Sequence, residues 1–340
     1  MGKHIPHLRI SKSIMWAAGL FLAFLLFFPV KAGAAETAAT SSNGYYMYFS
    51  VDNTIYRMHT KTGSVKKIRQ ISEVAYVDDI SYYKGYLYFT GNTYSGSDGM
   101  ELYICRVKKN GKSFQKLGDG YGCRIYGGKI YYTRGMNVDE YGSPQTKTIG
   151  IARMKLNGKS KTSLLSVHVE DAGILGMEIA GGKINYVERG KASKTLYSCS
   201  LKGKNEADIT YANSVKTDGK QIYYTTETSV YRYKNGTSEW ICPVAQQSGE
   251  SRTALLGARN GWVYLADHIY GGTPSFYRVK ASTGAKKTLA SYDAREMSIG
   301  KGKCLVVHRV IPFDGRYDYV CSRITTAGKM KKTIRKYYRS

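Results

Sequence analysis

Two stretches of this chain bring carboxylates close together: Asp139-Glu140, and Asp314 with Asp318. Two acids facing one sugar bond are what glycoside hydrolysis needs, one protonating the leaving oxygen and the other activating water or attacking. Both stretches also hold aromatic side chains. Tyr141 follows the first, and Phe313, Arg316 and Tyr317 surround Asp314. Tyr94 with Asp98, and His268 with Tyr270, make two further groups of this kind. Aromatic faces beside carboxylates and a guanidinium suit recognition of carbohydrate or peptide. Neighbouring acids on a loop are ordinarily solvated, so the expected function is binding. A glycoside hydrolase or polysaccharide lyase using the loop carboxylates is the alternative.

Other chemistries lack their residues. Beyond the N-terminal segment the histidines are His59, His168, His268 and His308, with no shared spacing. There is no Gly-x-Ser-x-Gly elbow, His-Glu-x-x-His pair or phosphate loop. No Cys-x-x-Cys or Cys/His zinc spacing occurs. No cofactor or metal is expected.

The elements that must carry these groups are repeats. A glycine, one or two residues, an apolar residue and an aromatic pair recur at Gly85-Tyr86-Leu87-Tyr88-Phe89, Gly128-Lys129-Ile130-Tyr131-Tyr132, Gly182-Lys183-Ile184-Asn185-Tyr186 and Gly261-Trp262-Val263-Tyr264-Leu265. Longer copies start at Gly44 and Gly219, and a worn copy runs Gly302-Lys303-Cys304-Leu305-Val306. Their central positions, Tyr48, Tyr88, Tyr131, Asn185, Tyr223, Tyr264 and Leu305, lie 38 to 54 residues apart. Two landmarks follow each signature. One is a run ending near a base, such as Ile55-Tyr56-Arg57, Val230-Tyr231-Arg232 or Phe276-Tyr277-Arg278, with a looser copy from Tyr319 to Arg323. The other is a turn glycine with an apolar residue beyond it, such as Gly63 and Ile68 or Gly111 and Leu117. Periods in this range mean solenoids, propellers or arrays.

Each repeat reads as short strands rich in Tyr, Ile, Val and Thr, separated by Gly, Asn, Ser and Lys. In Tyr86-Leu87-Tyr88-Phe89 both alternating sets are large, so the strand needs cover on both faces. A lone sheet of about 40 residues cannot supply that cover, whereas stacking between copies of itself can. The expectation is an all-β, seven-bladed β-propeller with four antiparallel strands per blade. Six blades plus one frayed blade is the variant, because ring closure offers two choices. Either Ala39-Thr40-Ser41 or the C-terminal Tyr337-Tyr338 supplies the first strand of blade one.

The Gly-x-Ile-Tyr-Tyr strand, the Leu-Tyr-Arg strand and the following turn glycine resemble a family of exported bacterial β-propellers of unknown function. That family is similar to the propeller of low-density-lipoprotein-receptor-related proteins. The resemblance covers roughly Gly44 to Ile334 and implies fold rather than activity. The receptor propellers carry Tyr-Trp-Thr-Asp, whereas this chain reads Tyr88-Phe89-Thr90-Gly91 and Tyr131-Tyr132-Thr133-Arg134. The acid is missing, so contacts specific to it do not transfer.

Domain organisation follows. Residues 1–34 read as a secretory signal peptide: Lys3, Arg9 and Lys12, then an apolar run from Ile14 to Val30, then Ala32-Gly33-Ala34. An uncleaved anchor is the rival reading. Residues 35–43 form a short N-terminal segment, 44–334 the propeller and 335–340 a basic tail. The expected location is secreted or cell-surface associated, with no membrane span after cleavage. The formal net charge is +26, and four of the bases lie in the first 34 residues. Such a field favours polyanions. Expected partners are a cell-wall or other anionic polymer, a glycan or a protein, and not nucleic acid, whose signatures are absent. The protein is expected to be a monomer. Export permits disulfides; among Cys105, Cys123, Cys199, Cys242, Cys304 and Cys321, the pair Cys304 and Cys321 falls on one proposed hairpin. Buried free thiols are the competing reading. In a propeller the connections from second to third strand and from fourth to the next first strand share one rim. The long ones place Tyr94, Asp98, Asp139, Glu140, Tyr141, His268, Tyr270, Phe313, Asp314, Arg316 and Tyr317 there.

Overall fold

A computed structural model describes residues 38–337 apart from 41–43, 96–98, 139–143, 168–172, 191–192, 246–251, 269–272, 301–302, 311–317 and 326–330. The compact unit that holds these residues spans Ala35–Ser340. Its described elements are strands, arranged as successive antiparallel meanders.

The first meander is β1 (Ala38–Thr40), β2 (Tyr46–Val51), β3 (Thr54–His59) and β4 (Val65–Gln70). The second is β5 (Tyr76–Tyr83), β6 (Tyr86–Ser95), β7 (Gly99–Lys108) and β8 (Gln115–Asp119). The third is β9 (Tyr121–Tyr126), β10 (Lys129–Val138), β11 (Pro144–Lys155) and β12 (Thr162–Ser166). Then come β13 (Gly173–Ala180), β14 (Lys183–Arg189), β15 (Lys194–Ser200) and β16 (Ala207–Tyr211). Next are β17 (Ser214–Thr217), β18 (Ile222–Thr225), β19 (Ser229–Lys234) and β20 (Thr237–Pro243). They are followed by β21 (Arg252–Arg259), β22 (Trp262–His268), β23 (Ser275–Lys280) and β24 (Lys286–Ala290). The last are β25 (Asp293–Gly300), β26 (Lys303–Val310), β27 (Asp318–Thr325) and β28 (Lys331–Tyr337).

By hydrogen bonding these strands form six sheets, five of four strands and one of eight. The eight-stranded sheet contains the second and third meanders, joined where Asn137 of β10 pairs with Glu101 of β7. The first strands of successive meanders pack against one another in order, β1 on β5, β5 on β9, and so on to β25, which returns to β1. The molecule is an all-β propeller with four antiparallel strands per blade.

The signature strand shows why sheets stack this way. Leu87 and Phe89 pack with Tyr48, Ile55, Val77 and Ile80, between the first and second meanders. The intervening Tyr88 packs with Cys123, Ile130 and Tyr132, between the second and third. Leu87 and Phe89 are fully buried and Tyr88 nearly so. Both faces of one strand are thus kept dry by two different neighbours, at about 1.5–3 kcal/mol for a fully buried large side chain. The same pattern recurs where Tyr131 and Ile151 meet Ile174 and Met177, and where Tyr264 and Phe276 meet Ala294 and Ile324.

Both other landmarks bind neighbouring blades. The base of the third strand reaches the turn between third and fourth strands of the next meander. Arg106 donates to the Leu156 carbonyl at 2.8 Å and Arg153 to that of Leu201 at 3.3 Å. The turn glycine sits against the apolar residue of the preceding meander's fourth strand. A Cβ on Gly111 would stand 2.4 Å from the Ile68 carbonyl oxygen, and one on Gly203 2.4 Å from that of Leu164.

Of the two routes to closure, the N-terminal one is used. Ala38–Thr40 pairs with β2 as the innermost strand of the first sheet, while Lys331–Tyr337 pairs with β27 as the outer strand of the last. Each meander is therefore one contiguous stretch of chain, and no strand is shared between the last sheet and the first.

Candidate functional site

The meanders give the ring two ends. Turns from first to second strand and from third to fourth lie at one end, as the pairs Tyr86↔Lys108 and Lys129↔Lys155 require. The remaining connections lie at the other, the end expected to bind. There, His268 is fully described, and Tyr94 by its backbone, where it pairs with Met100. Asp98, Asp139, Glu140, Tyr141, Tyr270, Phe313, Asp314, Arg316 and Tyr317 lie outside the described residues.

His268 ends β22 and is 7 % exposed. Its Nδ1 is hydrogen-bonded to Asp293, the first residue of β25 in the next meander. The other Asp293 oxygen accepts from Arg295 at 2.8 Å. Burial pushes the His268 imidazole below its ordinary value, against the pull of Asp293. Burial alone would raise Asp293, but the hydrogen bonds from His268 and Arg295 overcome it and hold the carboxyl well below the usual range. A neutral imidazole donating Nδ1–H to an ionised carboxylate fits both directions.

Beside it, Asp267 is a hub. It accepts from Thr253 Oγ1 at 2.8 Å, the Tyr277 hydroxyl at 2.8 Å and Ser275 Oγ at 3.2 Å, and Lys286 Nζ stands 3.7 Å away. Burial, then the Asp267 carboxylate, raises the Tyr277 phenol and keeps it a donor. Sequence reasoning found His268 but missed Asp267, Asp293 and Arg295. The adjacency Asp267-His268 was readable; the partner in the next repeat was not.

A second constellation lies at the opposite mouth of the tunnel, on four consecutive inner strands. Arg124 of β9 donates to both Glu178 oxygens of β13, Nε at 3.3 Å and Nη2 at 3.2 Å. Its Nη1 stands 3.6 Å from Asp79 of β5, and Lys216 Nζ of β17 is 4.0 Å from Glu178. Burial would lower Arg124, yet Glu178 and Asp79 more than offset it and the guanidinium stays charged. A cavity of about 340 Å³ opens here, lined by Tyr82, Tyr83, Tyr126 and Thr217 with Arg124 and Glu178. The two acids and two bases alternate, so the mouth is close to charge-balanced.

Among the described residues no three metal-ligating side chains converge. The backbone register sets Cys304 opposite Ile324 and Cys321 opposite Val307. That offset of three positions is about 10 Å along the hairpin, whereas a disulfide needs Cα atoms within about 7 Å. The expected Cys304–Cys321 bridge does not fit this pairing. Cys105, Cys123, Cys199 and Cys242 are buried free thiols.

Fold and site together define a β-propeller whose described polar clusters are paired, not poised. No protein-family model matches the chain, and no curated protein matches it in sequence. Solved structures do share the fold. A puromycin hydrolase mutant complexed with PGG aligns at TM-score 0.61 and 10% identity, over 91% of this chain and 55% of that one. The chain thus spans about half the length of that hydrolase. A putative 6-phosphogluconolactonase from Bacteroides fragilis aligns at TM-score 0.55 and 13% identity, over 89% and 94% of the two chains. A nidogen/laminin complex aligns at TM-score 0.48 and 15% identity, over 63% and 81%. At these identities the likeness concerns fold alone.

Proposed function

We propose that this chain is an exported, non-catalytic, seven-bladed propeller that binds a component of the cell envelope through its long-loop rim. The observation that carries the reading is the state of the described acids. Glu178, Asp267 and Asp293 each face bases or hydroxyl donors rather than another acid. Paired glycosidase carboxylates must instead face each other across a substrate. With Glu178 and Asp293 committed to joining blades and Asp267 to joining strands within one blade, the long loops are left as the variable surface, and loops on a rigid scaffold are where recognition concentrates.

Seven blades follow from counting the eight-stranded sheet as two, which the closed succession of inner strands supports. The ligand class is an anionic polymer, a glycan or a protein, and the protein acts as a monomer.

The test is a pull-down of the mature protein with purified cell-wall polymer and a glycan array, at low and high salt. Retention on at least one polymer or glycan is expected, with no release of reducing ends or unsaturated products. Indifference to all of them would overturn binding, and turnover of any would favour the hydrolase or lyase.

A further inference from the structure

The high positive charge is distributed through every repeat in sequence, but the exposed lysines of the described turns gather at one end. Lys61, Lys109, Lys159, Lys202, Lys234 and Lys280 stand in or beside the third turn of the first six meanders in order, and all are exposed. Lys84, Lys129, Lys183 and Lys220, also exposed, edge the first turns of the second to fifth meanders, an arc outside the charge-balanced Asp79–Arg124–Glu178–Lys216 cluster. Among the described residues of these turns the only carboxylates are Glu206 and Asp218. Both are engaged, Glu206 by the Tyr186 hydroxyl and Asp218 by the Tyr223 hydroxyl and two backbone amides. The described residues of the connections at the other end include Asp52, Glu73 and Glu227 and no Lys or Arg, with Arg189, Lys194 and Arg252 beside them in the adjoining strands.

We propose that this lysine-ringed end is a docking surface for an anionic lipid bilayer. The described turn tips are rich in Lys, Gly, Asn and Ser. A single polymer strand would touch a few tips, whereas a continuous plane of headgroups meets the lysines of six successive meanders at once. Lysine suits this task, being a flexible, hydrated point charge rather than a fork for one fixed partner. Tyr45 and Tyr126, 43 % and 39 % exposed, stand at first turns of the same end, and tyrosine favours the membrane–water interface. Carboxylates at the far end orient the disc, so the long-loop rim faces away from the bilayer. The proposal shares with the rim reading only the assumption of export.

Sedimentation of the mature protein with vesicles of phosphatidylglycerol and phosphatidylcholine, against phosphatidylcholine alone, tests it. Binding to the anionic vesicles is expected, fading as salt rises because surface charges are screened. The triple change Lys109→Gln, Lys159→Gln, Lys202→Gln should weaken it about five-fold per lysine, on the order of a hundred-fold in all. Ser72→Glu, Gln70→Glu and Thr228→Glu alter net charge equally at the opposite end and should leave binding nearly unchanged. Equal weakening by both triples would reduce the effect to net charge and overturn the docking face. So would indifference to anionic vesicles alongside retention on soluble polyphosphate, which would name a polymer as the partner. Vesicle failure with intact cell-wall retention would sink this proposal and leave the rim reading standing.

Discussion

Arg323, near the end of the chain, donates from Nη1 to the carbonyl of Lys61 at 2.6 Å and to that of Thr60 at 2.9 Å. The same contact joins Arg106 to Leu156 and Arg153 to Leu201 between consecutive meanders. Here it spans 262 positions and joins the last meander to the first. Because no strand is shared between those two sheets, this guanidinium supplies hydrogen bonds where other propellers could use a common sheet. Arg323 is 5 % exposed, so its loss removes a buried donor from the Thr60 carbonyl and a part-buried one from that of Lys61. Arg323→Ala should lower stability by about 2–4 kcal/mol, read as a drop in urea midpoint. An unchanged midpoint would mean the ring is held shut by apolar packing alone.

The turn glycines are open to a controlled comparison. Gly111 has φ of +85° and would place a Cβ 2.4 Å from the Ile68 carbonyl oxygen. Gly236, at φ +86°, meets nothing within 4 Å. Gly236→Ala should cost only the left-handed penalty, about 1–2 kcal/mol. Gly111→Ala adds a backbone clash between blades and should cost more, by at least about 1 kcal/mol. Equal costs in chemical denaturation would show that the blade spacing yields freely.

These two contacts also show what the sequence displayed. The repeating base and the turn glycine were visible as landmarks because they serve every blade seam alike. Burial of both faces of Tyr86-Leu87-Tyr88-Phe89 was visible because alternation encodes face. Pairing between repeats was not visible. Nothing in the spacing says that His268 meets Asp293, or that Arg124 meets Glu178 across 54 positions, because these depend on where adjacent inner strands come into register. The charge sorting was hidden for a simpler reason. Lysines placed at every other turn look evenly spread until the meander folds alternate turns to opposite ends.

Cysteine chemistry gives a third expectation. Burial pushes the thiols of Cys105, Cys123 and Cys199 up to about 12, and that of Cys242 to about 11. The thiolate is the reactive form, so at pH 8 the folded protein should leave these four untouched by an alkylating reagent. All four should label once denaturant opens the blades. Peptide mapping before and after unfolding checks this; labelling of the native protein, or a disulfide among the four, would contradict the buried free thiols.

The His268–Asp293 contact makes stability depend on pH in a defined direction. The His268 value is lowered from 6.5 in the folded protein. Between 6.5 and that lower value the unfolded chain binds the proton first, so stability falls as pH drops through this window. Above 6.5 the contribution is complete. Asp293 is likewise depressed from 3.8, so its share is present above that value and is lost as pH falls further toward its folded value. Urea midpoints between pH 8 and 3 should therefore decline in two stages, the first beginning near pH 6.5. His59, half-buried in the first meander, is the control position. His268→Gln should flatten the first stage while lowering the midpoint at pH 8, whereas His59→Gln should leave the first stage intact. If His59→Gln removed it instead, the blade-seam histidine would not be the group that senses acid.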